Sequence, residues 1–546
     1  MTAGTTARPE ATTRSPGERR AGLAATGVAV ALVRRGTVLV ALIAGVLPAF
    51  VAVEYRDTFS GAFGVSSLTA LAENPAIRTL FGRPVALDDP GGFTVWRTGT
   101  VVAVLVGVWA VLTATRITRG EEEAGRWDLL LAGRLHLRSL VGRAQAVLLA
   151  AAAGIGAAVA AGMLLAGTAP TGALLFAAVV AGTGMVGVGL GVVAAQLLPE
   201  RRAASGLALA VLLAGLLVRM VADGVPALDW MHWLSPFGLM ARAEPFGADR
   251  ALPLLVLAAA VAVLGLLAVH LAGRRDTGSG LLGGRDVHRA GSGLLGSVPA
   301  FAVRRGRRPL LGWGLGIGLY FLLIGSLATT MMQFLRDNPA FAELASAAGF
   351  ARLATVQGYV AALFSLLAVP IGAFAAGRMS AAAADETAGR LTLVFSQPVA
   401  RARWAATEAG ATAVGCVVLA AVAGLTTWAG AHAANAPLGV GESLGGALSV
   451  VPVALLCLGA ALAALGWVPH AVLPLGVLPA AGGYLLLVLA ESFRWPGWLR
   501  GLSPFAHLSA VPAEPMDVPG AVGMVVVGLV LGVLGLAGYA RRDLRG

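Results

Sequence analysis

The chain has 546 residues, 57% of them hydrophobic and 12% charged, against about 25% charged in a soluble domain. That excludes a water-soluble protein of the about three or four domains this length would otherwise suggest. The formal charge of +12 rests on 40 basic residues that are all arginine, and a chain without lysine has no residue to place on the phosphates of a nucleotide-binding P-loop.

In chain order, residues 1–20 are polar and rich in Thr, Ala, Arg and Glu. They are expected to form a disordered cytosolic tail with no signal peptide. Twelve stretches then approach the roughly 20 apolar residues that cross a bilayer. The first six are 37–53, 99–115, 144–167, 172–197, 204–222 and 251–272. The second six are 310–330, 357–377, 406–430, 446–466, 471–490 and 520–540. Placing the N-terminus in the cytosol puts 29 of the 40 arginines on that side, the asymmetry that orients membrane proteins. Cys416 and Cys457 both fall in apolar stretches and read as small buried hydrophobes.

Several landmarks occur twice in the same order. VRRG stands at 33–36 and 303–306, NPA at 74–76 and 338–340, and LSPF at 234–237 and 502–505. Both halves end on Arg-Arg-Asp, at 274–276 and 541–543. The expected fold is therefore all-α and polytopic, with about twelve transmembrane helices in two parallel six-helix repeats and both termini cytosolic. The expected halves are 21–276 and 292–546, joined by a cytosolic linker over 277–291.

The most informative repeat is EEEAGRWDLLL at 121–131 and DETAGRLTLVF at 385–395. Each copy lies in an arginine-bearing gap between the second and third spans of its half. Acidic residues suit a helix N-terminus, and Glu122–Arg126 and Glu386–Arg390 have the favourable i,i+4 order. The spacing predicts a short cytosolic helix in each copy, charged at its start and apolar behind. Such a helix either docks a partner or rests on lipid headgroups.

These residues, with the Gln397-Pro398-Val399-Ala400-Arg401 turn that follows the second copy, resemble the type-2 permeases of ABC transporters. The twelve-span layout resembles the tandem-fused subgroup that exports polyketide-type antibiotics. The resemblance implies a permease subunit with no catalytic site, exporting a hydrophobic or amphipathic compound. Two copies of a cytosolic ATPase subunit would carry the ATP and Mg. By position, Glu122, Gly125, Arg126, Glu386, Gly389 and Arg390 become the ATPase-coupling residues. The first copy has Arg134 where Pro is expected, which implies two contacts of unequal quality.

Arg34, Arg35, Arg304 and Arg305 are expected either on interfacial helices that touch the ATPase or as plain positive-inside anchors. Ser235, Pro236, Phe237, Ser503, Pro504 and Phe505 belong to short extracellular segments that either cap the exit or form an aromatic belt. Arg219, Glu408 and Glu491 lie near span ends, where snorkelling is easy. With few ionisable groups at mid-span, the alternative of an ion-driven secondary multidrug transporter is less favoured, as is a lipid-acting enzyme. No His/Glu/Cys cluster has metal-ligand spacing and no soluble basic module for nucleic acid is visible. The expected location is the plasma membrane of a bacterium.

Overall fold

The computed structural model describes residues 16–58, 78–79, 82–133, 135–282, 296–337, 355–492 and 495–542. All regular structure among these residues is helical. Among the described residues, twelve helices are long and apolar enough to cross a membrane. The first six are α1 (Arg19–Tyr55), α2 (Pro90–Glu123), α3 (Leu137–Leu165), α4 (Pro170–Leu197), α5 (Arg201–Gly224) and α6 (Leu252–Ala272). The others are α7 (Val298–Gln333), α8 (Val356–Thr387), α9 (Arg401–Ala433), α10 (Val440–Trp467), α11 (Pro469–Leu487) and α12 (Val518–Arg541). The chain divides into two compact units, residues 1–289 and 290–546.

Helices dominate because a chain surrounded by lipid must satisfy its own backbone hydrogen bonds. Their starts are encoded locally. Asp89 Oδ1 accepts from the Gly91 and Gly92 N–H groups at 2.7 and 3.1 Å, opening α2. Thr355 does the same for Gly358 at 3.0 Å before α8, and Asp517 for Gly520 at 3.1 Å before α12. Hydroxyls inside the helices bond back one turn, as Thr183 does to the Val179 carbonyl and Thr427 to that of Ala423.

Both units use one packing scheme. The first helix packs on the third, the second on the fourth, and the fourth on the sixth. Small residues permit these approaches. A Cβ on Gly187 or Gly191 of α4 would press on α2 at Gly107 and Val111. One on Gly459 or Gly466 of α10 would strike the backbone of α12 at Gly528 and Gly535. In α7, Gly314 and Gly318 meet Leu419 and Val422, while Gly312 and Gly316 face open space. Large apolar side chains such as Leu255, Leu266, Val526 and Val533 point outward from α6 and α12.

Two expectations need correction. The VRRG copies do not sit on separate interfacial helices. Arg34 and Arg35 lie within a continuous helix Pro16–Thr58, and Arg304 and Arg305 within one that runs from Val298 to Ser326. In the first unit the stripe Ala25, Ala29 and Val33 is buried in the same cluster as Trp127 and Val141, so packing holds the helix straight through the arginine pair. The eleventh span is not a plain helix either. It runs through a 3₁₀ turn at Pro469–Ala471, a short helix Val472–Val477 and a π turn at Leu478–Gly482. Pro474 and Pro479 remove the donors an unbroken helix needs there. The NPA copies lie outside the described residues.

Candidate functional site

The twin acidic-Gly-Arg segments form two matching tips, one per unit. In the first unit α2 passes through a π turn at Arg116–Gly120 and ends at Glu123. The acids therefore close the C-terminal end of a long helix; they do not open a short one as the sequence suggested. Negative charge is disfavoured at that end, and arginines meet it. Glu122 accepts from Arg275 Nη1 and Nη2 at 2.6 and 2.7 Å and from the Gly278 N–H at 2.7 Å. Arg119 Nη1 stands 3.2 Å from the same carboxylate, and the side chains of Arg119, Glu122 and Arg275 are at most 2% exposed.

The expected Glu122–Arg126 pair is replaced by Glu121–Arg126. Arg126 Nε and Nη2 donate to Glu121 at 2.5 and 2.7 Å, and this bond raises the already high Arg126 pKa. Gly125 is the cause. Its φ of +69° breaks the helical register, and a new short helix starts at Arg126. The second unit repeats the construction. Gly389 has φ +68°, Arg390 Nε lies 3.5 Å from Asp385, and Glu386 accepts from Arg542 Nη2 at 2.7 Å in place of the expected Arg390. The Arg-Arg-Asp repeat thus supplies the partners of the acidic repeat.

Beyond each glycine the pattern of burial also matches. Trp127 and Leu391 point inward at 3% and 4% exposure, whereas Leu129 and Leu393 stand out at 80% and 81%. The Arg126 and Arg390 side chains are 58% and 57% exposed. At the 264-residue offset, Trp127 and Leu140 of the first unit correspond to Leu391 and Trp404 of the second, all four buried. The buried Trp and Leu thus exchange places between the two units, which conserves volume. Trp404 also meets Phe395 edge-on at 5.9 Å. Arg134, on which the expected inequality of the two copies depends, lies outside the described residues. Pro398 is exposed.

The surroundings differ between units. In the first, Arg119 donates to the Ala195 carbonyl at 2.9 Å and to that of Ser279 at 3.0 Å. The Leu281 and Leu282 N–H groups bond Gln196 and Leu197 at 3.2 and 2.8 Å. The start of the segment expected as the cytosolic linker is therefore strapped to the end of α4. In the second unit Arg305 reaches Glu408 at 3.0 Å and also pairs with Asp385. Arg378 reaches Glu408 at 2.8 Å. Arg34 and Arg35, at the matching place in the first unit, are exposed. Glu408 is 1% exposed, so it does not snorkel; two arginines neutralise it where it stands.

At the other end of the first unit sits a charge network that the sequence reading missed. Arg219 Nε lies 2.5 Å from Asp223, and His232 Nε2 lies 3.0 Å from the same carboxylate. Arg219 is 2% exposed, again buried by pairing instead of snorkelling. Asp229 lies 3.4 Å from His232 Nδ1 and 3.5 Å from Arg83, and pairs with Arg242. Burial raises the Asp229 carboxyl, but Arg242, Arg83 and His232 outweigh it and hold it below the ordinary value. The i,i+4 spacing of Arg219 and Asp223 was the available signal. The Glu491 side chain is outside the described residues.

The LSPF segments are built in. Ser235 Oγ accepts from the Gly238 N–H at 3.0 Å and caps the helix Pro236–Ala243. Phe237 is fully buried. Ser503 donates to the Gly483 carbonyl at 2.7 Å and caps the turn Pro504–His507, and Phe505 lies 5.5 Å edge-on to Tyr484. Trp230 and Trp498, flanking them, are exposed.

A family model described as the C-terminal domain of the multidrug efflux system permease Rv1217c matches residues 59–270 and 295–540. The chain is 30% identical over 494 residues to the multidrug efflux system permease protein Rv1217c of Mycobacterium tuberculosis (strain ATCC 25618 / H37Rv). That match covers 88% of this chain and 87% of the relative.

Proposed function

Because the chain belongs to the Rv1217c family of multidrug efflux permeases, we propose that it is the membrane-spanning half of an ATP-driven ABC exporter, related to the tandem-fused exporters of polyketide-type antibiotics. In this reading it moves a hydrophobic or amphipathic compound out of a bacterial cell through the plasma membrane. Both tips face the cytosol, and two copies of a soluble ATPase subunit, carrying ATP and Mg, bind there.

The observation that carries this reading is the pair of matched tips, each on a left-handed glycine at the end of a second helix. Glu122 and Glu386 hold the tips in place, Gly125 and Gly389 turn them, and Arg126 and Arg390 face the partner. The absence of lysine supports a separate source of ATP hydrolysis. Ser235, Pro236, Phe237, Ser503, Pro504 and Phe505 stiffen the exit side, while Arg34, Arg35, Arg304 and Arg305 mark the cytosolic side.

The test is efflux of ethidium from cells producing the full chain with and without its ATPase subunit. Efflux should need the subunit and ATP and should survive collapse of the proton gradient. Gradient-dependent efflux without any ATPase would replace this reading with an ion-driven transporter.

A further inference from the structure

We propose that the first unit holds a binding site for one small monovalent anion, seated against Arg219 in the cavity between α2, α5 and the helix Pro236–Ala243. The site goes beyond the exporter reading and does not rest on it.

Arg83, Val85, Trp96, Arg219, Met240 and Glu244 line the cavity, whose volume is about 40 Å³. That is room for about three water molecules, far below the roughly 300 Å³ that a drug-sized compound needs. Arg219 is 2% exposed, and a guanidinium carries five N–H donors. Its Nε faces Asp223 at 2.5 Å and its Nη1 donates to Thr100 Oγ1 at 3.2 Å. Among the described residues no acceptor is bonded to Nη2, which lies so close to Gly82 that a Cβ there would overlap it. A buried guanidinium with an unused edge is costly, and the cavity is where that edge finds its partner.

Water alone would fill the edge but leave the charge unbalanced. The ion-paired network around Arg219 sets Arg83, Arg219 and Arg242 against only Asp223 and Asp229. A proton on His232 adds to that positive surplus and nothing on His232 reduces it. Glu244, on the rim, is matched by Arg250 at 3.4 Å. One monovalent anion balances the network, and the apolar walls leave little water to screen it.

The fold itself does not require an arginine at this place. Measured from the LSPF copies at 234 and 502, Arg219 corresponds to Leu487 in the second unit. A buried ion pair seldom adds stability over apolar residues, so the charge serves something other than packing. The two segments that border the cavity, 82–92 and 244–250, hold Ala86, Glu244, Phe246 and Asp249 at positive φ. Such conformations persist only where the surroundings enforce them, which keeps the rim in one shape.

Thermal unfolding of the purified full chain, in chloride and in gluconate at equal ionic strength, provides the test. Chloride should raise the melting temperature saturably, by about 3 °C, and bromide should do the same. Arg219→Gln should abolish the difference. Ala241→Leu narrows the same cavity and leaves every charge in place, so it decides the matter even where Arg219→Gln does not fold. Arg500→Gln, in the second unit, should keep the full response. A response to halides alone would identify the occupant as a free inorganic anion. An equal response to formate and a larger one to octanoate would identify it as the carboxylate of an amphiphile. No response of the wild type to chloride, bromide or formate overturns the site, as does an undiminished response in Ala241→Leu.

Discussion

Glu122 is the residue whose role changed most between sequence and structure. Its charge suggested a surface contact, yet it is the anion between two buried guanidinium groups. Removing one member of a buried ion pair strands the others and costs about 3–5 kcal/mol. Glu122→Ala should therefore lower the melting temperature of purified protein markedly. Glu386→Ala should lower it less, since its partner Arg542 has a side chain 17% exposed. Equal melting of both variants and wild type would contradict the assigned burial. Asp229 makes a second, pH-dependent prediction. Its pKa is depressed in the folded state, so it contributes stability above the unfolded value, and that contribution is lost as pH falls through the folded one. Wild type should outlast Asp229→Asn at pH 7, and its advantage should shrink below about pH 4. Thermal melts of the two proteins across that range check it.

At the level of elements, the tips depend on a backbone conformation more than on side chains. A residue with a Cβ pays about 1–2 kcal/mol in the left-handed region. No neighbour crowds a new Cβ at Gly389, and at Gly125 the nearest atom is Asp128 Oδ2 at 3.9 Å. Gly125→Ala and Gly389→Ala should thus loosen the tips by backbone strain alone, visible as faster hydrogen exchange over 121–131 or 385–395. Asn, which tolerates positive φ better, should restore most of the order. The sequence exposed the glycines and their equal offset but not the register break they cause. An i,i+4 count assumes one continuous helix, so it paired Arg126 with Glu122 and Arg390 with Glu386 when each arginine turns to the acid one residue earlier.

At the scale of the whole molecule, the twelve spans were legible because the demand for 20 apolar residues overrides local preference. Their contacts rest on small residues spaced four apart, as Gly187 and Gly191 carry the α2–α4 approach. What stayed hidden were pairings between residues far apart in the chain. Glu122 meets Arg275 and Glu386 meets Arg542 across 150 residues or more, although each motif had been visible as a landmark of the repeat. Two motifs that recur in step carried that information, but only a fold could show that they touch. The buried charges Arg219 and Glu408 were misjudged for the same reason, because their neutralising partners come from the folded chain.

That pairing also has a mechanical meaning. Glu122 sits at the end of α2, while Arg275 lies three residues past the end of α6; Glu386 joins α8 to Arg542 just past α12 in the same way. A rigid clasp at the base of a tip gives it two levers. In each unit the clasp therefore closes a ring of three helices, the second and sixth joined at their ends and both packed on the fourth, so that the end of one cannot shift without the other unless the ion pair breaks.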